Sequence, residues 1–532
     1  MNTWKKTYVI IALCAIAAGL IYLSLPLSNK KIDTDQTNQQ DRIESAELKD
    51  NVLYRINENS VETTQGIFAI NKETLWVAGG TEIVKGKARF LGENVTIEQD
   101  QEGIVHKIET DQDLTIPKRI RVVLAADAAA ESYIHGIVAV TSSEPFWSIT
   151  DGTIQAHPPE AEIGTESFGY RTIFIPAKEG STLTLISPKG TTTYLGQLEV
   201  TEEEGGYSVI NEVAVENYVK GVVPSEMPGS YGEEAAKVQA VCARSYAYCQ
   251  WAESEKFAAW GAQVDDSIKS QVYGGRVIHE ACEKGVEATW GQIITYEGRP
   301  ISTNYFSTSC GYTANGSEVW GGAETVYQKG RPQFTEGSYG DLSQEEEFHA
   351  FITDQEINAY DSHSPWFRWS VEVSMEELNQ ATVKYLSALP VVKVVTEDSL
   401  LEERTDTLGT LEDIYVYERS QTGMALSILL IGTEKSIVIE KPMEIRKLLG
   451  RVSVKLMNGE LAGERELLPS AFISLEKTKD TDEKLVSVKI CGGGYGHGVG
   501  MSQNGVKGML EAQYGYQDIL SHYFPGTQIT VL

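Results

Sequence analysis

Basic residues are scarce in this chain of 532 residues, which has 45 lysines and arginines against 75 aspartates and glutamates. The formal net charge of −30 would repel a polyanion, and no long stripe of lysine or arginine offers phosphate contacts. A nucleic-acid partner is therefore disfavoured. An uncharged substrate, such as a neutral polymer, fits this composition better than a polyanionic substrate.

Several catalytic motifs are also missing. The sequence has no G-x-S-x-G elbow and no H-E-x-x-H pair, and no thiol has an evident histidine partner in sequence. G-x-x-x-x-G-K-[ST] is absent, and the glycine-rich stretch near the C-terminus does not fit G-x-G-x-x-G in register. These absences argue against serine and cysteine nucleophiles, zincin chemistry and nucleotide binding.

Cysteine is rare, with six in the chain. Outside the N-terminal apolar run, five remain: Cys242, Cys249, Cys282, Cys310 and Cys491. An odd number at these spacings is not the pattern of a small disulfide scaffold. Cys242 and Cys249 are about 10 Å apart along one predicted helix, which is too far for a bridge. All five are predicted to be buried free thiols.

An apolar run at the N-terminus, from about Tyr8 to Leu25, follows Lys5 and Lys6. It is long enough to span a bilayer, which needs roughly 18 to 20 residues. A cleaved signal peptide is the alternative, but its apolar core is usually about 7 to 15 residues and ends in a small-residue cleavage site. We therefore expect an uncleaved single-pass anchor over 1–27 in the cell membrane, with the N-terminus cytoplasmic and the bulk of the chain extracytoplasmic.

After the N-terminal apolar run, the composition divides the chain into three parts. Residues 28–52 are polar and low in aromatics, and they are predicted to form a tether. Residues 53–190 hold short β-rich runs separated by Gly, Pro, Asp and Asn, which is typical of a sheet-rich domain, here of unknown role. Residues 191–532 mix strands and helices without regular βαβ alternation, which predicts an α+β domain.

Four local predictions within the last part bear on the site. The stretch YSVINEVAVENYV is predicted to be a strand, and residues 233–254 a strong helix. Residues 331–365 are expected to form a surface loop or short helix. Two further helices are predicted near 502–514 and 516–523.

Glu226 stands between two prolines, Pro224 and Pro228, just ahead of the strong helix. Ser230 and Glu233 match the S-x-x-E capping box, so the helix does not need Glu226 as its cap. Proline restricts the backbone on both sides of Glu226 and makes a short rigid segment. Such a segment suits a catalytic acid, although a surface glutamate in a turn is the alternative.

Two further groups of residues suit a polar ligand. Six glycines between residues 492 and 500 let the backbone approach a ligand closely, and His497, Ser502 and Gln503 lie in or just after them. In NYFSTSCGYTANGSEVW, Ser307 and its neighbouring hydroxyl residues precede the aromatic Trp320. Hydroxyls beside an aromatic ring suit a sugar, although each group alone is common in strands and turns.

Three segments together resemble the SpoIID/LytB family of stage II sporulation protein D and the amidase enhancers. They are INEVAVENYVKGVVPSEMP…EEAAKVQAVCARSYA, DDSIKSQVYGG…ITYEGRPISTNYFSTSCGYT and GGGYGHGVGMSQNGVKGML…YQDILSHYFPGT. The likeness covers roughly residues 193–532, and the order and spacing of the segments agree. The resemblance therefore implies that 191–532 is a SpoIID-like α+β catalytic domain with a substrate groove.

The resemblance implies a peptidoglycan lytic transglycosylase, active in cell-wall remodelling such as sporulation engulfment. The glutamate of the family's P-S-E-M motif falls on Glu226, which would protonate the oxygen of the MurNAc–GlcNAc bond. It would then accept the proton of the muramyl 6-hydroxyl as a 1,6-anhydro ring closes. Glycan strands are the implied substrate, with a cell-wall amidase or other engulfment proteins as further partners.

Candidate substrate-binding residues beside Glu226 are Arg244, Ser307, His497, Ser502 and Gln503. Arg244, on the strong helix, has a structural ion pair as its alternative role. Some relatives carry zinc on Cys and His residues ahead of the Q-x-Y-G stretch, but here that segment is AQVDDSIKSQVYGG, without Cys or His. We therefore predict no metal there and no cofactor.

Two alternatives to the transglycosylase stay open. A non-catalytic amidase enhancer would bind the wall and would not need Glu226. An ordinary muramidase would need a second carboxylate, such as Glu318. In a transglycosylase the acid must be protonated near neutral pH, so its pKa must rise through burial, against the effect of a nearby helix N-terminus. We expect an apolar wall of Met227 and aromatics to outweigh that effect.

Overall fold

The computed structural model describes residues 51–337, 339–388, 391–396, 399–405 and 407–532. The predicted anchor over 1–27 and all but the end of the predicted tether over 28–52 lie outside these residues. Within the ranges described, no helix is long and apolar enough to cross a membrane. Membrane anchoring therefore stays a prediction.

The fold is α+β and rich in strands, which confirms the predicted class. The α-helices of the described residues are α1 (Val215–Glu226), α2 (Gly232–Glu253), α3 (Glu280–Ala288), α4 (Gly316–Trp320), α5 (Glu345–Thr353), α6 (Met375–Ser387), α7 (Pro442–Leu448), α8 (Gln503–Glu511) and α9 (Tyr516–Tyr523). The strands up to residue 300 are Leu53–Ile56, Ser60–Thr63, Gly66–Ala69, Leu75–Ala78, Thr81–Glu82, Thr96–Gln99, Val105–Thr110, Arg119–Val123, Ala139–Thr141, Phe146–Thr150, Thr153–His157, Ile163–Gly164, Arg171–Pro176, Thr182–Ser187, Gly190–Leu195, Gln197–Glu203, Gly206–Ala214, Val264–Asp265, Gln292–Tyr296 and Arg299–Pro300. The later strands are Tyr305–Phe306, Trp369–Ser374, Val392–Val395, Leu400–Glu403, Leu411–Arg419, Ala425–Gly432, Ser436–Glu440, Val452–Leu456, Leu461–Arg465, Ile473–Lys479, Leu485–Gly492, Met501–Ser502 and Gln528–Val531.

The described residues form two compact units. The first unit runs to Ile294 and also includes Gly298–Ser302 and Ile529–Leu532. The second unit comprises Thr295–Glu297 and Thr303–Gln528. Of the candidate site residues, Glu226 and Arg244 belong to the first unit, and the other four belong to the second.

A seven-stranded sheet forms the centre of the first unit. Its strands lie in the order Thr153–His157, Phe146–Thr150, Arg171–Pro176, Gln197–Glu203, Gly206–Ala214, Arg119–Val123 and Val264–Asp265. Residues from both sides of position 190 pair directly, since Phe174 lies opposite Leu198. The boundary drawn at residues 190 and 191 therefore runs through one sheet, and the compact units divide near residue 295 instead.

Helices α1 and α2 pack in the same apolar core as this sheet. In α1, Val219, Val222 and Val223 are fully buried. In α2, alanines recur at i, i+4, i+7 and i+11, a spacing that puts them on one helix face: Ala236, Ala240, Ala243 and Ala247. These small residues let α2 lie close to its neighbours, which fixes the position of the α1 C-terminus.

The start of α1 corrects one prediction. The stretch YSVINEVAVENYV was expected to be a single strand, but the strand ends at Ala214 and the helix begins at Val215. Apolar residues in a short run do not distinguish a strand from a buried helix. Here tertiary burial of Tyr218 and Val219 selects the helix.

The surroundings of Glu226 correct two more predictions. The predicted short rigid segment around Glu226 is instead helical, because Pro224 lies inside α1, whose last residue is Glu226. The predicted capping box of Ser230 and Glu233 is wrong, because α2 begins at Gly232 after Tyr231, without a side-chain cap. The burial of the α1 valines outweighs the helix-breaking tendency of proline, which costs about 3 kcal/mol.

Buried ion pairs cross the seven-stranded sheet. Arg121 donates to Glu199 at 2.7 Å and to Glu212 at 2.6 Å. Arg171 also donates to Glu199, and its other terminal nitrogen donates to Glu62. Each partner is buried, so the loss of one charge would leave an uncompensated ion in the interior.

The second unit contains two five-stranded sheets. Trp369–Ser374 is the middle strand of one sheet, and Ser436–Glu440 is the middle strand of the other. The region over 331–365, expected as a loop or short helix, contains α5, which buries Phe348, Phe351 and Ile352. The helices predicted near 502–514 and 516–523 are present as α8 and α9.

The five described cysteines are free and buried, as predicted. Burial raises the pKa of the Cys249 thiol to about 12 and that of the Cys310 thiol to about 12. A thiol of this kind is inert, because the thiolate is the reactive form. The cysteines therefore act as small apolar residues of the core.

Candidate active site

Glu226 is the last residue of α1 and is half-buried. Its Oε1 accepts a hydrogen bond from the backbone N–H of Val272, with an N···O distance of 2.6 Å. Hydrogen bonds to a charged acceptor are about twice as strong as neutral ones. The carboxylate is therefore positioned both by its helix and by the loop of residues 271–275.

Ser225 fastens the same loop to the end of α1. Its Oγ donates to the carbonyl of Gly221 at 2.8 Å and accepts from the backbone N–H of Gly274 at 3.1 Å. Gly221 permits this close approach, since a Cβ there would lie 2.4 Å from the Tyr273 ring and 2.4 Å from the Gly275 carbonyl oxygen. Helix and loop therefore hold Glu226 as one assembly.

Two tyrosines connect this assembly to the interior. The Tyr218 hydroxyl donates to Oε1 of Gln271 at 3.1 Å, and the Tyr273 hydroxyl donates to Oδ1 of Asn211 at 2.8 Å. Their rings pack with centroids 5.0 Å apart. Burial raises the pKa of Tyr218, and the nearby charge of Glu226 adds to that shift.

The electrostatic surroundings of Glu226 differ from those predicted. Because Glu226 ends α1, the nearest dipole is a helix C-terminus, which disfavours negative charge. The predicted influence was a helix N-terminus, which has the opposite sign. Met227 is buried. Burial raises the pKa of Tyr246, and the nearby charge of Glu226 raises it further.

Asp265 is one of two carboxylates, with Asp266, in the segment where some relatives carry zinc. Asp265 is fully buried, and its Oδ2 accepts from the hydroxyls of Tyr133 at 2.9 Å and Ser267 at 2.5 Å. In the parts of the chain that the structure describes, no three His, Cys, Asp or Glu side chains lie together as metal ligands would. The hydrogen bonds of Asp265 give it a structural role.

Arg244 lies on α2 and is 1% exposed. Its Nε and one terminal nitrogen donate to the two carboxylate oxygens of Glu216, each at 2.7 Å, and the other donates to the Gln292 carbonyl at 2.9 Å. This is the structural ion pair that the sequence left as an alternative. A role in substrate contact stays a prediction.

Ser307 and Ser502 lie together in the second unit. Ser502 is the buried N-cap of α8, and its Oγ accepts from the backbone N–H of Gly505. The carbonyl of Ser307 accepts from the side-chain amide of Asn504 at 3.0 Å. Gln503, the first residue of α8, is half-buried.

A buried aspartate that sequence reasoning missed organises this cluster. Asp361 accepts from Ser309 Oγ at 2.7 Å, from the Ser309 backbone N–H at 2.8 Å, and from Ser502 Oγ. Burial raises the Asp361 pKa, while the serine hydrogen bonds lower it. Asp361 lies in a segment predicted to be a loop, and no local pattern distinguished it.

His497 lies half-buried among aromatic rings. Its ring centroid is 5.1 Å from that of Trp320 and 5.7 Å from that of Phe306. Nδ1 accepts from the backbone N–H of Val499 at 3.1 Å. Burial, helped by the charge of Arg446, lowers the His497 pKa to about 4, so the imidazole is neutral at pH 7.

Glu318, the carboxylate named for the muramidase alternative, lies on α4 in the second unit. Its Oε2 is buried without a hydrogen-bond partner among the residues described. Burial raises the Glu318 pKa. Its proposed partner, Glu226, belongs to the first unit.

Comparison with known proteins places these residues in two family models. Residues 203–296 match the SpoIID model, described as a stage II sporulation protein, and this segment contains Glu226, Arg244 and Val272. Residues 314–500 match a domain of unknown function, DUF8618, which includes Glu318 and His497. Ser307, Ser502 and Gln503 fall outside both matched segments.

Three curated relatives agree with the first model. The chain is 28% identical over 328 residues to the amidase enhancer of Bacillus subtilis, an alignment that covers 59% of this chain and 40% of that protein. It is 25% identical over 387 residues to stage II sporulation protein D of Bacillus subtilis, covering 70% and 88%. It is 27% identical over 334 residues to stage II sporulation protein D of Bacillus amyloliquefaciens, covering 60% and 75%.

The segment that matches the SpoIID model contains the glutamate held at the end of α1. The SpoIID match and the relatives named stage II sporulation protein D and amidase enhancer confirm the resemblance to the SpoIID/LytB family that was drawn from the sequence. The chain spans less than half the length of the amidase enhancer but most of the length of the Bacillus subtilis sporulation protein.

Proposed function

We propose that this protein is a lytic transglycosylase that cleaves the MurNAc–GlcNAc bonds of peptidoglycan glycan strands. The observation that carries the proposal is the hydrogen bond from the Val272 backbone to the Glu226 carboxylate, which fixes one half-buried acid in the SpoIID-matched segment. A positioned acid of this kind can serve as the general acid of glycoside cleavage.

The proposed reaction needs only this one carboxylate. Glu226 protonates the glycosidic oxygen, and its conjugate base then takes the proton of the muramyl 6-hydroxyl as the 1,6-anhydro ring closes. Intramolecular attack gains from proximity and needs no activated water, whereas hydrolysis uses a pair of carboxylates at a defined separation. Asp265 is fully buried and hydrogen-bonded, so it is unsuited to activating a water.

The immediate environment of Glu226 supports both halves of this cycle. The helix C-terminus disfavours charge and so favours the protonated acid. The Val272 N–H favours the carboxylate and so stabilises the base that follows. Because one neighbour favours the protonated form and the other favours the carboxylate, Glu226 can donate a proton and later accept one.

The proposed setting is the outer side of the cell membrane, where a wall polymer is accessible. The net charge of −30 suits an uncharged polymer better than a polyanion. The predicted anchor over 1–27 and tether over 28–52 would keep the folded part near the wall. Wall remodelling such as engulfment during sporulation is the proposed process.

Digestion of purified glycan strands, with mass spectrometry of the new ends, tests the proposal. We expect anhydromuramyl ends from the unmodified chain and a loss of about 100-fold or more in Glu226→Gln, because the proton donor is gone. Glu233→Gln is the matched control, since Glu233 is a partly exposed glutamate of the next helix that pairs with Lys237. Reducing ends instead of anhydro ends would identify a muramidase and contradict the proposal.

A second candidate is a non-catalytic enhancer of a cell-wall amidase. It is favoured by one specific observation, the similarity to a protein named amidase enhancer. In that case Glu226→Gln would still stimulate a purified amidase, and the chain alone would leave glycan uncut. The transglycosylase proposal fails if both results are obtained.

A further inference from the structure

A cavity of about 210 Å³ in the first unit adjoins the loop that holds Glu226. Val272 and Tyr273 line one side of the cavity, and the N–H of Val272 is the donor to Glu226. Leu185 and Lys189, from the strand-rich region ahead of the SpoIID match, line another side. The strand-rich region, to which the sequence assigns no role, therefore contributes a wall beside the candidate acid.

His135, which lines this cavity, has an unused acceptor. The residue is 2% exposed. Its Nε2 lies 3.0 Å from the Leu124 carbonyl oxygen, and because a carbonyl only accepts, Nε2 carries the proton. In the neutral ring Nδ1 is then an acceptor, and it is buried without a hydrogen-bond partner in the described part of the chain.

An unsatisfied buried acceptor is unfavourable and calls for a partner. Burial lowers the His135 pKa, so the ring does not relieve the problem by taking a second proton at neutral pH. Buried polar groups in native proteins are nearly always hydrogen-bonded to protein, water or ligand. The orphaned Nδ1 therefore indicates that a hydrogen-bond donor enters the cavity.

Asp266 and Lys189 supply the charged groups of the cavity wall. Lys189 Nζ lies 3.0 Å from Oδ2 of Asp266, and Oδ1 of Asp266 accepts from the Ala125 N–H at 2.9 Å. The pair brings one positive and one negative charge to the wall, so the cavity favours an uncharged ligand. The half-exposed Lys189 ammonium has donors left for a ligand oxygen.

Leu124 and Leu185 supply an apolar surface in the same space. The volume is below the roughly 300 to 1,000 Å³ of pockets that enclose drug-sized ligands. It suits one small substituent that combines a donor, an acceptor and a methyl-sized apolar end. Among the groups of a glycan, an acetamido group combines these three features.

We propose that this cavity binds one acetamido group of an amino sugar. The amide N–H donates to His135 Nδ1, the carbonyl oxygen accepts from Lys189, and the methyl group packs on Leu124 and Leu185. The choice of ligand rests on the proposed glycan-cleaving function, but the binding site itself does not. The strand-rich region would then serve to position a sugar beside Glu226.

Equilibrium binding of two uncharged tetrasaccharides to the whole chain tests this inference. One is the N-acetylglucosamine tetramer, and the other is the glucose tetramer, which has hydroxyls in place of acetamido groups. Neither contains a muramyl residue, so the bond of the proposed reaction is absent. We expect the N-acetylated tetramer to bind about tenfold more tightly.

Variants assign that preference to the cavity. His135→Leu and Lys189→Met should each weaken binding of the N-acetylated tetramer by about three- to tenfold and leave the glucose tetramer unaffected. Lys178→Ala, an exposed lysine of the same region, is the matched control and should bind like the unmodified chain. Lys189 is half-exposed, so its variant keeps the test valid if His135→Leu fails to fold.

Equal affinity for the two tetramers, or a preference that survives both cavity variants, overturns the inference. The proposed function fails by a different result, the absence of anhydro ends when purified glycan is digested. A chain that cuts no glycan but keeps an acetamido preference dependent on His135 would support the inference alone. The two failures are therefore distinguishable.

Discussion

The backbone N–H of Val272 holds the Glu226 carboxylate at 2.6 Å, with no side chain of Val272 involved in the bond. A backbone donor keeps its place when its own side chain changes, and among the standard residues only proline removes the N–H. The relationship therefore allows the hydrogen bond to be tested separately from the apolar contacts of Val272.

Val272→Pro should lower the formation of anhydro ends by about 10- to 100-fold, because the acid loses the donor that positions it. Val272→Ala keeps the N–H and should stay within about threefold of the unmodified chain. Product ends counted by mass spectrometry, with thermal unfolding as a fold check, measure the difference. Equal losses in the two variants would mean that side-chain packing, and not the hydrogen bond, matters at this position.

Gly221→Ala should destabilise the protein by about 1 to 3 kcal/mol, since its Cβ would lie 2.4 Å from both the Tyr273 ring and the Gly275 carbonyl oxygen. It should also reduce activity, because the loop that carries Val272 would be displaced. Lys220→Ala, one residue earlier in α1, removes an ion pair with the exposed Glu287 and should destabilise the protein much less. Unfolding in urea, together with product analysis, compares the two.

Arg244→Met should destabilise the protein by about 3 to 5 kcal/mol, because it leaves the Glu216 carboxylate partly buried without its partner. Removing both charges, in Arg244→Met with Glu216→Gln, should restore much of that loss. A thermal-unfolding comparison of the single and double variants measures this coupling. If Arg244→Met keeps its stability but loses activity, the residue contacts substrate, and the structural interpretation fails.

The stability of the second unit should depend on pH through His497. Its folded pKa of about 4 is below the ordinary value of 6.5, so between these values the unfolded chain binds a proton that the folded chain does not. Stability is then complete above about pH 6.5 and falls as pH decreases towards 4. His497→Gln should show a shallower loss of melting temperature from pH 7 to pH 4.5. Identical pH slopes would contradict the burial of a neutral imidazole.

The five buried cysteines should be unreactive in the folded protein. Their burial and raised pKa values predict that a thiol reagent modifies none of them before unfolding and all five in strong denaturant. Colorimetric titration of a chain carrying Cys14→Ser, which removes the sixth cysteine of the sequence, gives the count with and without urea. Rapid modification of Cys282 or Cys491 in the native protein would show local opening around that residue.

Sequence reasoning predicted the class of the fold because periodic apolar patterns persist over long elements. The strong helix predicted over 233–254 appears as α2 at Gly232–Glu253. The helix over Val215–Glu226 was missed because its short apolar run and its proline suggest an extended chain, whereas burial in the core decides the outcome. Burial in a tertiary core overrides the local secondary-structure propensity of a segment.

The candidate acid could be named from the sequence, but its support could not. The flanking prolines and a family motif pointed to Glu226. Val272 contributes only its backbone N–H, and because every residue except proline has one, its residue type gives no sign of this contact. The Q-V-Y-G stretch was part of the resemblance and could have suggested contact with Glu226. Asp361 is separated by many residues from Ser309 and Ser502, so its contacts depend on the fold.

The pairing of Arg171–Pro176 with Gln197–Glu203 has a consequence for how this protein could have evolved. A segment that supplies interior strands to its neighbour's sheet cannot be exchanged as an independent module, since its removal would expose an unpaired strand edge. It would also separate Arg171 from Glu199, two charges buried together. The strand Arg119–Val123 of the same region also pairs with Gly206–Ala214, inside the SpoIID-matched segment, so the two regions form one folding unit.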